Sequence, residues 1–176
     1  FTVNSSSVNT GTQTPVATPT KTQTVVTPTY TQVVVTPANT PVVGSGFTVS
    51  VDSASANNGS TIVVPVSFAN VPSSGICAAD MTINYDASKL EYISGEAGSI
   101  VTNPEVNFGI NKESNGKLKV LFLDNTMSNG YISQNGVFAK LTFRAISSGN
   151  ATISLSDATF GDKSLANVSA KLNAGT

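Results

Sequence analysis

GICAADMTINYD at residues 75–86 and LKVLFLDNTMSNGYISQNGVFAKLTFR at residues 118–144 carry most of what this chain says about its fold. Each joins a strand of period-two apolar spacing to a polar turn marked by glycine, the pattern of antiparallel β-structure. In the first, Met81, Ile83 and Tyr85 share one face, and Cys77 has the same parity. Ala78, Asp80, Thr82 and Asn84 then form a polar row on the other face. In the second, Leu118–Leu123 is almost continuously apolar, which reads as a central strand covered on both sides. Val137, Ala139, Leu141 and Phe143 follow as another single-faced set.

The same alternation runs outward in both directions. Phe47, Val49 and Val51 share a face, as do Ile62, Val64, Val66 and Phe68. Further on come Ala151, Ile153 and Leu155, then Val168, Ala170 and Leu172. Turn signals separate these sets: NNGS at 57–60, VPSSG at 71–75, SNG at 114–116 and 128–130, QNG at 134–136 and SSGN at 147–150. About nine strands at such spacing predict an all-β antiparallel sandwich. The period alone does not choose between a jelly roll and an immunoglobulin-like topology.

Residues 1–46 differ in kind. They hold five of the eight prolines and one charged side chain, Lys21. TQTVVTPTYTQVVVTP at 22–37 repeats loosely. Recurrent proline fixes φ and removes donors, so the segment reads as a stiff, extended Thr/Pro/Val-rich intermodular linker, reaching up to roughly 140 Å at about 3.1 Å per residue. Its Thr/Ser/Pro mixture also suits an O-glycosylated stalk, and its uncharged β-branched run would suit addition to a sheet edge. The remaining 130 residues, 47–176, make one domain with one core. The chain begins at Phe1 without a signal-peptide pattern, as expected of a piece of a longer protein. A net charge of −1 gives no electrostatic case for nucleic acid or an anionic membrane, and no apolar run is long enough to span a bilayer.

Catalytic chemistry finds little to work with. Histidine is absent, which removes the usual general base and the commonest metal ligand. The single Cys77 lacks a base beside it and reads as a small buried hydrophobe. No G-x-S-x-G elbow accompanies the serines, and the ten acids are scattered, mostly in turns. The chain is therefore read as not an enzyme. Asp124, Asp157 and Asp162 are the acids that folding would bring closest to a calcium site, yet no loop has EF-hand spacing. Sugar recognition usually stacks Trp or Tyr on the pyranose face. Here Trp is absent, Tyr30 lies in the linker, Tyr85 has core parity, Tyr92 follows a buried strand, and only Tyr131 looks free.

The two opening segments, together with VPVSFANVP (63–71), YDASKLEYI (85–93) and ATFGDKSL (158–165), resemble the cohesin modules of bacterial cellulosome scaffoldins, type I in particular. The resemblance implies a flattened nine-stranded jelly roll without resident cofactor or metal. It implies a receptor for dockerin modules of polysaccharide-degrading enzymes or of other scaffoldins, with calcium carried by the dockerin. It further implies an extracellular, secreted or cell-surface cellulosome, touching plant cell-wall polysaccharide only indirectly. In the family, dockerin sits on the face built around the third, fifth, sixth and eighth strands. Carried over residue by residue, that face takes Ala78, Asp80, Thr82 and Asn84 from one strand. From the next it takes Val120 and Phe122, pointing outward while Leu121 and Leu123 face the core. Asp80 matches an acidic hydrogen-bond acceptor, Asn125 a position where some relatives carry Glu, and Leu165 an apolar rim contact; Glu113 corresponds only weakly to a contacting aromatic. Ala78 replaces an Asn common in relatives. The competing readings are a carbohydrate-binding jelly roll and a structural spacer of a bacterial surface protein.

Overall fold

The computed structural model of the chain describes residues 46–126 and 129–176; the linker expected over 1–46 lies, apart from Gly46, outside them. Nine strands occur among the described residues: β1 (Thr48–Val51), β2 (Thr61–Ala69), β3 (Ala78–Tyr85), β4 (Leu90–Ala97), β5 (Phe108–Ser114), β6 (Lys117–Leu123), β7 (Gly136–Ala145), β8 (Ile153–Gly161) and β9 (Lys171–Asn173). One short helix, α1 (Pro104–Asn107), precedes β5. The strands form a five-stranded sheet, β4-β7-β2-β1-β9, and a four-stranded sheet, β5-β6-β3-β8. All pairings are antiparallel except β1 with β9. Apart from the steps β1–β2 and β5–β6, every connection carries the chain to the other sheet, so the loops gather at the two ends of a sandwich. The four-stranded sheet is the set of strands that the resemblance implied.

Alternation explains most of the core. Phe47, Val49, Val51, Val64, Val66, Phe68, Met81, Ile83 and Tyr85 are all buried on the faces expected of them. Between the sheets the aromatic rings interlock. Phe68 stacks on Phe138 at 4.3 Å, while Phe47 meets Phe68 and Phe160 edge-on, each at 5.0 Å. Edge and offset contacts of this kind add to the stabilisation from burial itself.

Three strands depart from simple parity. In β6, Val120 and Phe122 are 0% and 2% exposed, whereas Leu121 and Leu123 are 49% and 54% exposed. The expected facing of β6 is therefore inverted, and only one side of the strand is covered. In β7, Val66 pairs with Ala139 and Ser67 with Val137, which leaves Phe138 as an extra residue. Both Phe138 and Ala139 consequently turn inward, and Val137 is only half-buried. In β8 the register slips between the Thr82–Ser156 and Asp80–Thr159 pairs, at Asp157, whose φ is +46°. Ile153 and Leu155 face the core before this bulge; Ala158 and Phe160 do so after it. A bulge adds one residue to one strand and so exchanges its faces. Near the C-terminus, Val168 and Ala170 pack on the core margin, but Leu172 is exposed.

Candidate docking face

The ladders of the four-stranded sheet fix what its outer face displays, because residues directly opposite in an antiparallel pair point the same way. One row runs Gly161, Ala78, Leu123; the next runs Thr159, Asp80, Leu121, Gly109. Then come Ser156, Thr82, Lys119, Asn111, and finally Ser154, Asn84, Lys117, Ser114. The face therefore grades from an apolar half to a polar, charged half.

The apolar half holds a shallow groove of about 460 Å³. Ala78 and Gly161 give it a low floor, and Leu121, Leu123 and Leu165 stand around it. Asp80 is the one charged residue that lines it, with Thr159 and Asn167 completing the polar edge. Leu165 is 74% exposed because the turn after β8 holds it there. In that turn Asp162 Oδ1 accepts hydrogen bonds from the backbone N–H of Ser164 (2.8 Å) and of Ala166 (3.0 Å). Leu165 N–H donates to the Asp162 carbonyl at 2.9 Å, and Leu165 takes φ +59°. Those two N–H donors hold the Asp162 carboxyl below its usual range.

In the polar half, Lys119 Nζ pairs with Asp80 Oδ1, and Lys117 with Glu113 at 3.4 Å. The close contact with Asp80 is the main cause that raises the Lys119 ammonium above its ordinary value. Asn84 Nδ2 donates to Ser156 Oγ at 2.9 Å.

Of the residues expected to meet a partner, Ala78, Asp80 and Leu165 converge on the groove, and Phe122 borders it from below with its side chain buried. Asn84 lies on the same face, half-buried, at its polar end. Thr82 is in the outward row but only 2% exposed, so it offers a partner almost no surface. Val120 and Phe122 are corrected outright: both lie in the core, and Leu121 and Leu123 hold the outward positions. Asn125 is exposed in the loop after β6 and does not line the groove; its N–H is donated to Asn107 Oδ1 at 3.4 Å. Glu113 is taken up by Lys117. Sequence reasoning missed Leu121, Leu123 and Lys119. The signal was the polar row of β3, since whatever pairs with Asp80 and Ala78 must share its face.

The remaining candidates are structural. Asp124 is buried and organises the loop after β6. Its Oδ1 accepts from Thr126 N–H (2.9 Å) and Thr126 Oγ1 (2.6 Å), and its Oδ2 from Gly130 N–H (3.1 Å). Among the described residues, no group of three or more Cys, Asp or Glu is placed to hold a metal ion. Cys77 is buried, and desolvation, with the charges of Asp124 and Asp162, pushes its thiol up. Tyr131, the one tyrosine expected to be free, has Lys163 Nζ 4.4 Å from its ring centroid.

Over 98 residues the chain is 39% identical to Cellulose-binding protein A of Clostridium cellulovorans, a match that takes in 56% of this chain and 5% of that protein. The chain thus spans only a small part of the length of the first curated relatives it matches. The sixth cohesin of scaffoldin B from Acetivibrio cellulolyticus, solved with a mutant Cel5 dockerin, is 55% identical with a TM-score of 0.70. That match covers 75% of this chain and 99% of the other. The cohesin of OlpC from Clostridium thermocellum, solved in a type I complex with a dockerin, is 32% identical with a TM-score of 0.69 over 76% and 95% of the two chains. The family model for the cohesin domain matches residues 47–176, and the chain belongs to that family.

Proposed function

We propose that residues 47–176 form a non-catalytic receptor module of a cellulosomal scaffoldin, which binds a dockerin on the outer face of the four-stranded sheet. The observation that carries this reading is the groove walled by Leu121, Leu123 and Leu165 with Asp80 at its edge. Exposed leucines around a small-residue floor suit the apolar ridge of a helix, and a single carboxylate supplies a directional hydrogen-bond acceptor. The face is built on paired strands, so little order has to be gained on binding and affinity can be high for a modest area. Calcium enters this reading only through the dockerin, whose loops it would order. The parent protein would work outside the cell, and residues 1–46 would give the module reach, raising the local concentration of recruited enzymes. Sugar binding is less well supported: Tyr85 is buried, Tyr92 packs against Phe143, and the Tyr131 ring is covered by Lys163.

Titration calorimetry with a panel of calcium-loaded dockerins, including the Acetivibrio cellulolyticus Cel5 dockerin, tests the proposal. A complex that chelation of calcium dissolves, while the module's own melting temperature stays put, is the expected result. Failure of every dockerin to bind the intact chain would overturn it.

A further inference from the structure

We propose that Lys119 is a positioning residue for docking: it holds the Asp80 carboxylate oriented without itself contacting the partner. This rests on the dockerin-binding reading and deepens it. Three observations carry it. Asp80 is the one charged residue lining the groove, and Lys119 is not among the residues that line it. Lys119 sits one row further along β6, opposite Thr82, and reaches diagonally to Asp80 Oδ1. That oxygen is sealed from solvent and meets the Lys119 ammonium as an ion pair rather than in hydrogen-bond geometry, yet the Asp80 side chain as a whole is 43% exposed. One carboxylate oxygen is therefore tied down beneath the surface, and the exposed remainder of the side chain faces the groove.

The physical need arises when a partner expels water from the groove. A carboxylate losing its hydration keeps its charge at tolerable cost only if charge-assisted partners stay with it. Lys119 supplies that compensation from outside the contact area, on the same sheet. The partner can then complete the site with a neutral donor, a hydroxyl or amide N–H, instead of a cation of its own. The ion pair also holds Asp80 in one rotamer, so that ordering is complete before binding.

The test is a double-mutant cycle against a calcium-loaded dockerin bound by the wild-type module, with melting temperatures recorded in parallel. Lys119→Met should weaken binding about tenfold, the scale for a hydrogen bond to a charged group. Lys119→Arg, which keeps the charge and a donor, should stay within about threefold. Asp80→Asn should weaken binding, and Asp80→Asn with Lys119→Met should be no weaker than Asp80→Asn alone. Losses that multiply in the double variant would mean that Lys119 touches the partner independently, and would overturn the inference. So would an unchanged affinity for Lys119→Met. Either result leaves dockerin binding itself intact, whereas a wild-type module that binds no dockerin removes both.

Discussion

Phe122 stands directly opposite Ala79 in the β3–β6 ladder, and both side chains are buried between the sheets. One residue back, Leu121 stands opposite Asp80 on the outer face. Two adjacent residues of similar apolar character thus face opposite sides of the sheet. Phe122 packs edge-on against Phe138 at a centroid distance of 6.1 Å. Phe122→Ala should cost about 3–5 kcal/mol of stability, the range for truncating a buried Phe. Leu121→Ala should leave stability within about 1 kcal/mol, because the side chain is half-exposed, and should weaken dockerin binding by about 2 kcal/mol or more if it is an anchor. Urea melts and calorimetry on the two variants decide the matter. A stable, binding-deficient Phe122→Ala would mean that β6 faces the other way.

The facing of β6 shows where the sequence stops being legible. From Asp80 to Tyr85, β3 alternates polar and apolar residues, so its inner face could be read directly. Val120, Leu121, Phe122 and Leu123 are all apolar, and periodicity assigns such a run no face. The polar row of β3 would have settled it, but only once the β3–β6 register was known. Phe138 and Phe160 escaped a strict period-two reading for another reason. Each follows or occupies a bulge, and the extra residue is visible only in the pairing. Within the groove, Asp80 and Leu165 were legible through family resemblance. Lys119 was not, because its role depends on a diagonal contact between strands.

Asp162 should make the turn that bears Leu165 sensitive to pH. Its carboxyl lies below the ordinary Asp value of 3.8 because the N–H groups of Ala166 and then Ser164 stabilise the charged form. A depressed folded-state value contributes stability that is fully present above the unfolded value and is lost as pH falls through the folded one. The turn bearing Leu165 should therefore hold at neutral pH and loosen below the ordinary carboxylate range. Asp162→Ala should produce the same loosening at neutral pH. Faster hydrogen exchange at the Ser164 and Ala166 amides, with weaker dockerin binding, is the expected outcome; unchanged exchange would refute the assigned role.

Cys77 should react slowly with a thiol reagent in the native state. Its side chain is buried, its N–H is bound to the Gly161 carbonyl at 2.8 Å, and burial together with nearby carboxylates disfavours the reactive thiolate. Labelling should accelerate sharply once denaturant unfolds the domain. Fast labelling of the native module at mildly alkaline pH would place Cys77 on the surface and shift the register of β3 by one, turning Asp80 inward.

Asp157 controls which residues of β8 reach the groove. With φ at +46° it absorbs the extra residue opposite Met81, so that Phe160 turns in beside Ala79 and Gly161 turns out beside Ala78. Continued period-two spacing from Ile153 and Leu155 would instead drive Gly161 inward and expose Phe160. Left-handed backbone is open to Gly and tolerable for Asp or Asn, but it is strained for a β-branched side chain. Asp157→Gly should fold and bind dockerin almost as the wild type does. Asp157→Val should lose about 1–3 kcal/mol, the cost of holding such a residue in that region. The loss should fall on binding as well as on stability, since a bulge that shifts to relieve the strain moves Gly161 and Leu165 together. Urea melts combined with dockerin titration separate the outcomes. If Asp157→Val matches Asp157→Gly in both, the backbone at this position is not what sets the face of β8.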